Sequence, residues 1–159
     1  MQPLDSWWAQ NSTNYTNWPY DQYGKAYEAF KATHYKDALT NFLSVLAIDP
    51  AADESRALAV GCAIEIENIP MAQQLNTHYA IADGRWEHWA QGKMMLATNA
   101  IQQGTEEFVS LAKKYPPFVG TAWISERSHI PRQVDWTLYQ KLMQTTNNTV
   151  SANRNNSVP

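Results

Sequence analysis

The sequence predicts an all-α fold of three antiparallel helix pairs followed by one closing helix. Three observations lead there. Apolar residues between positions 20 and 143 recur at the 3.6-residue period of a helix. Turn-forming residues separate the periodic stretches, at Asp49-Pro50, Asp83-Gly84, Gly104 and Pro116-Pro117. No stretch alternates strongly enough to be a strand, and Phe118 to Ile124 alone is ambiguous.

The first helix opens at Tyr20 and is rich in tyrosine. In the second, Tyr35, Ala38, Leu39, Phe42, Leu43 and Leu46 share one face. Asp49-Pro50 ends it, because proline cannot continue a helix and restricts the residue before it. Asp53 caps the third helix, which runs to about Glu67. Its stretch Ala57 to Ile64 is apolar nearly all round, as a helix packed on both sides must be. Pro70 sits where the first turn of a fourth helix accepts it. Ala72, Leu75, Tyr79 and Ala82 continue that helix to Asp83-Gly84, where the glycine is free to take positive φ. The fifth begins near Arg85, carries Trp86, Trp89, Ala90, Lys93, Leu96, Ala97, Ala100 and Ile101 on one face, and breaks at Gly104. Thr105 caps a short sixth helix with Glu106 and Glu107 at its start and Lys113 and Lys114 at its end, which suits the helix dipole. Phe108, Leu111, Ala112 and Tyr115 form its buried face. After a loop through Gly120, a last helix runs from Pro131 to Met143 through Val134, Leu138, Tyr139 and Leu142.

The chain has 159 residues, 44% of them hydrophobic, which suits one core needing neither disulfide nor metal. The body spans residues 20–143. Residues 1–19 form an irregular or short-helical arm whose Trp7, Trp8 and Trp18 pack either on the body or on another subunit. The second option predicts a weak homodimer. Residues 144–159 are polar and predict a disordered tail. The longest nearly apolar run, Ala57 to Ile64, is far below the ~20 residues of a membrane span. No Lys or Arg precedes Lys25 and no apolar leader follows, so the expected location is cytoplasmic. Residues 1–112 carry 6 Lys+Arg against 13 Asp+Glu, and residues 113–159 carry 6 against 2. A mildly acidic body does not suit nucleic-acid binding.

The segment Lys31-Ala-Thr-His-Tyr-Lys-Asp-Ala-Leu-Thr-Asn-Phe-Leu-Ser-Val-Leu-Ala-Ile-Asp-Pro50 resembles the second helix of a tetratricopeptide repeat. Tyr35, Ala38, Phe42, Leu46 and Pro50 stand at that family's spacing, Ala26 falls at a small-residue position, and Gly61 and Ala72 do so with two extra residues in the turn between them. Residues 51–84 and 85–117 read as looser second and third repeats. Three repeats, an acidic body and a Gly-Cys-Ala core in the second repeat together resemble the class II chaperones of bacterial type III secretion. That resemblance implies three tetratricopeptide-like helix pairs with a C-terminal capping helix. It also implies a protein that holds an extended apolar segment of a translocator-like client before export. A general tetratricopeptide scaffold of a secretion or envelope assembly, and a toxin-binding immunity protein, are the alternatives.

In stacked helix pairs, successive first helices line a concave surface. The repeat register puts Tyr20, Tyr23, Tyr27 and Phe30 there from the first pair, Ala59, Cys62 and Ile66 from the second, and Trp86, Trp89, Lys93 and Leu96 from the third. The same positions also suit packing between repeats, most of all Ala59, Cys62 and Ile66. The one cysteine, Cys62, excludes an internal disulfide and a cysteine-built metal centre. His34, His78, His88 and His129 have no metal-ligand spacing, and no phosphate loop, dinucleotide fingerprint or nucleophile elbow is present. The expectation is a non-catalytic binder without cofactor or metal. His34 reads as a surface turn residue, and His88 as a surface or rim position.

Overall fold

The computed structural model describes residues 20–115, 131 and 133–144. The N-terminal arm, the stretch Phe118 to Ile124 and the tail beyond Gln144 lie outside the described residues. Every regular element among the described residues is a helix. They are α1 (Tyr20–Lys31), α2 (Tyr35–Ile48), α3 (Asp53–Glu65), α4 (Ile69–Leu75), α5 (Arg85–Ala97), α6 (Ile101–Lys114) and α7 (136–144). No helix there is long and apolar enough to cross a membrane.

Three turns repeat the same backbone. Residues 32–34 join α1 to α2, 66–68 join α3 to α4, and 98–100 join α5 to α6. In each, the middle residue is left-handed: Thr33 at φ 63°, Glu67 at 62° and Asn99 at 70°. The following N–H then reaches back five residues, His34 to the Ala29 carbonyl, Asn68 to Ala63 and Ala100 to Met95, each at 2.8 Å. These bonds satisfy carbonyls that a helix end leaves open. None of the left-handed residues is glycine. A β-branched residue is the least suited to that region, where an L-residue loses ~1–2 kcal/mol. Thr33→Gly is therefore expected to raise stability by about 0.5–1 kcal/mol, after the chain-entropy cost of glycine. Ala32→Gly, whose φ is not positive, should lower it. Thermal melts of the two variants check the sign.

The helices pack in sequence: α1 on α2, α2 on α3, α3 on α4 and α5, and α5 on α6. Helix α3 is buried from Ser55 through Ala63, so its apolar circumference is used in full. Phe42, Leu58, Trp89, Phe108 and Leu111 are the bulk of the fully enclosed volume. Glycines let the helices approach closely. A Cβ on Gly92 would lie 2.7 Å from the Phe108 ring, and one on Gly104 would lie 2.7 Å from Leu96.

Several boundaries differ from the sequence-based expectation. Gly104 does not break a helix; it lies inside α6, which starts at Ile101. The break falls at Thr98-Asn99, where asparagine tolerates the left-handed conformation. Thr105 is therefore no cap. Its hydroxyl donates to the Ile101 carbonyl at 2.7 Å and accepts the Asp135 N–H at 2.9 Å. Helix α4 stops at Leu75 instead of reaching Ala82, because α3 captures the backbone that would continue it. Arg56 donates to the Leu75 carbonyl at 3.4 Å, and the Asp53 carboxylate accepts the Ala80 and Ile81 N–H groups at 3.0 and 3.2 Å. Asp53 is thus the first residue of α3 and ties down the 76–84 segment; the residue before it, Ala52, holds the cap position. Asp83, not Gly84, takes the positive φ, at 64°.

The last helix starts later than Pro131. Asp135 accepts the Leu138 N–H at 3.0 Å, as an N-cap does, and α7 follows. Its start is tied to Thr105, while Leu142 borders a furrow with Val109 and Lys113. Helix α7 therefore runs beside α6 in the same direction. A helix joined to α6 by a tight turn would run the opposite way.

Candidate functional site

The first helices of the three pairs, α1, α3 and α5, carry the residues expected to bind a partner. On α1, Tyr20 is the opening residue. Tyr23 is half-buried, stacks on Tyr27 with ring centroids 6.3 Å apart, and meets Phe42 edge-on. Its hydroxyl donates to the Glu54 carboxylate of α3. Burial, and then that carboxylate, push the phenol above its ordinary range. Tyr27 is half-buried beneath the Lys31 ammonium, 4.8 Å from its ring centroid. Phe30 is buried, edge-on to Tyr35 at 5.9 Å.

On α3, Ala59 and Cys62 are wholly enclosed. Burial, with Glu65 adding to it and Lys93 opposing, pushes the Cys62 thiol up to about 12. It is a packed, protonated group at neutral pH, consistent with the core role of a buried thiol. Ile66, just past the helix end, is 37% exposed.

On α5, Trp86 is half-buried and meets Trp89 edge-on at 6.2 Å. Trp89 has 0% exposure, and its far ring edge faces Gly61 of α3. It is a core residue, not an open wall of a groove. Lys93 is buried as well. Its ammonium lies 3.6 Å from the Glu65 carboxylate and 5.7 Å from the Trp89 ring centroid. Burial draws its pKa down, and Glu65 works against that. Leu96 is buried against Gly104.

The structure therefore splits the expected set. Phe30, Cys62, Trp89, Lys93 and Leu96 lie inside the stack. Tyr23, Tyr27, Ile66 and Trp86 keep partial access to solvent. The periodicity could not separate the groups, because residues three or four apart on one helix reach both the buried interior and its partly exposed margin. Pairings across helices were also beyond reach. Glu65 with Lys93, and Tyr23 with Glu54, join positions 28 and 31 residues apart.

One small cavity borders α3 and α5, and a larger furrow lies away from them. The first, of about 20 Å³, lined by Ile64, Glu65, Lys93, Leu96 and Pro131, is of water size. The other is an open furrow of about 480 Å³ between α6 and α7, with Val109 and Leu142 among its lining residues. Neither gathers a nucleophile, a base and an oxyanion donor, the set that acyl-transfer chemistry needs. Among the described residues, no group of three or more His, Cys, Asp or Glu is arranged to hold a metal ion. No family model, no curated protein and no solved structure matches this chain.

Proposed function

We propose that the chain is a tetratricopeptide-like, non-catalytic protein-binding module that holds an extended apolar segment of a client protein. One observation carries the repeat reading. The left-handed turn residues Thr33, Glu67 and Asn99 recur 34 and 32 residues apart, each between the two helices of a pair. That period is the length of a tetratricopeptide unit. Stacked pairs of this kind leave their first helices on a shared concave side, where extended peptides lie. The partly accessible Tyr23, Tyr27, Ile66 and Trp86 belong to or adjoin those helices. Aromatic anchors concentrate interface energy at low rotamer cost. The chaperone-like client in this proposal is a translocator-type secretion substrate, kept from self-association before export.

Site-specific photo-crosslinkers test the reading. Placed at Tyr27 or Ile66 in the source cell, they should capture one extended apolar stretch, and Gln103 on the opposite helix should not. A synthetic peptide of the captured stretch should then bind in titration. Trp86→Ala should weaken that binding by ~2 kcal/mol, about thirtyfold, with little change in the melting temperature. Binding of a folded domain, with the isolated peptide inert, would replace this reading with the immunity-protein one.

A further inference from the structure

His88 stands in the first turn of α5, between two carboxylates. Its Nε2 faces the Asp83 carboxylate in the segment before the helix, and its Nδ1 faces Glu107 of α6. An ionised carboxylate only accepts hydrogen bonds, so both contacts are hydrogen bonds only while both ring nitrogens carry protons. The neighbouring charges come from every side. Glu87 of the same helix accepts the Asp83 N–H, and Lys114 of α6 reaches the Asp83 carboxylate at 2.8 Å. The Tyr115 hydroxyl donates to the Asp83 carbonyl at 3.3 Å. Burial pushes the Tyr79 phenol above its ordinary range, and the Asp53 and Glu87 charges add to that while Arg56 opposes it. Asp83 thus joins three parts: the 76–84 segment, the first turn of α5 and the end of α6.

We propose that His88 is a proton-operated latch: doubly protonated, it ties the end of the 76–84 segment to the α5–α6 pair, and losing one proton breaks that tie and leaves Asp83 to Lys114, Glu87 and Tyr115. A neutral imidazole keeps one N–H, so one carboxylate is left facing a lone pair. Glu107 is the more enclosed, with its side chain 19% exposed against 68% for Asp83. The exposed carboxylate is the one water can solvate, so Asp83 is the side that lets go. Asp53 still holds Ala80 and Ile81, and Lys114, Glu87 and Tyr115 still reach Asp83, so the change is a loosening confined to Ala82–Gly84. Burial lowers the His88 pKa, but the hydrogen bonds and charges of Asp83 and Glu107 outweigh it, and the net value lies above 6.5. A histidine raised on folding stabilises fully below its unfolded value. The latch is therefore closed below 6.5 and opens as the pH rises through the raised value.

The test is an NMR titration of the His88 ring in the full chain, with amide exchange followed over the same pH series and corrected for intrinsic rates. The expected midpoint lies above 6.5, and both Asp83→Asn and Glu107→Gln should lower it. Protection of the Asp83 amide should fall several-fold as the ring deprotonates, and His88→Gln should remove that step. A midpoint at or below 6.5, or an exchange step that survives in His88→Gln, overturns the latch.

Discussion

Trp89→Ala is expected to cost about 3–5 kcal/mol of folding stability, the range for removing an aromatic ring from a packed interior. The indole is wholly enclosed, with Trp86 against one edge and the Lys93 ammonium 5.7 Å from its ring centroid. Its far edge meets α3 so closely that a Cβ on Gly61 would lie 3.0 Å from Cη2. Truncation opens a void between α3 and α5, the contact that joins the second pair of helices to the third. Small domains have only ~5–15 kcal/mol in total, so the loss is a large share. Urea unfolding checks it: the midpoint should fall with the slope unchanged. Trp86→Ala, at a half-buried position, should cost less in the same assay. Equal losses would mean that Trp86 is as much a core residue as Trp89.

Gly92→Ala and Gly104→Ala should destabilise, although alanine is the better helix former by ~1 kcal/mol. The new methyl on Gly92 would stand 2.7, 3.1 and 3.2 Å from three atoms of the buried Phe108 ring. On Gly104 it would stand 2.7 Å from both Cγ and Cδ2 of Leu96. Overpacking of this kind costs ~1–3 kcal/mol, because a ring or branched side chain in a full core has nowhere to turn. Gly24→Ala is the opposing case. Nothing lies within 4 Å of its added Cβ, so only the propensity gain remains and stability should rise. A double cycle with Phe108→Leu sharpens the test. The smaller side chain should relieve Gly92→Ala, with a coupling of ~0.5 kcal/mol or more. Additive losses would place the strain elsewhere than the α5–α6 contact.

The four glycines Gly24, Gly61, Gly92 and Gly104 look alike in the sequence, and each sits within a helix. Their difference lies wholly in what faces them. That is why Gly104 reads as a helix breaker until Leu96 is seen across from it. The true break at Asn99 does carry a local signal, an asparagine 32 residues beyond Glu67, which itself lies 34 beyond Thr33. The spacing of these turns is thus a better guide to the boundary than the most flexible residue.

What the sequence determined by itself is the all-helical class, the position of α2, the two-sided burial of α3 and the start of α5. Each follows from local rules: a 3.6-residue apolar period, a proline that cannot continue a helix, and a stretch too apolar to face water on any side. The tertiary structure alone decided which aromatic residues are core and which keep a face to solvent. It also decided where α4 ends and that α7 runs beside α6 in the same direction. Those outcomes depend on groups far apart in the chain. Asp53 takes amides 27 and 28 residues away, Thr105 receives one 30 residues away, and His88 pairs with Glu107 across two helices. A periodic pattern specifies that a face will be buried. It does not specify against what, because the free energy of burial is set by the partner surface, which exists only once the helices have packed.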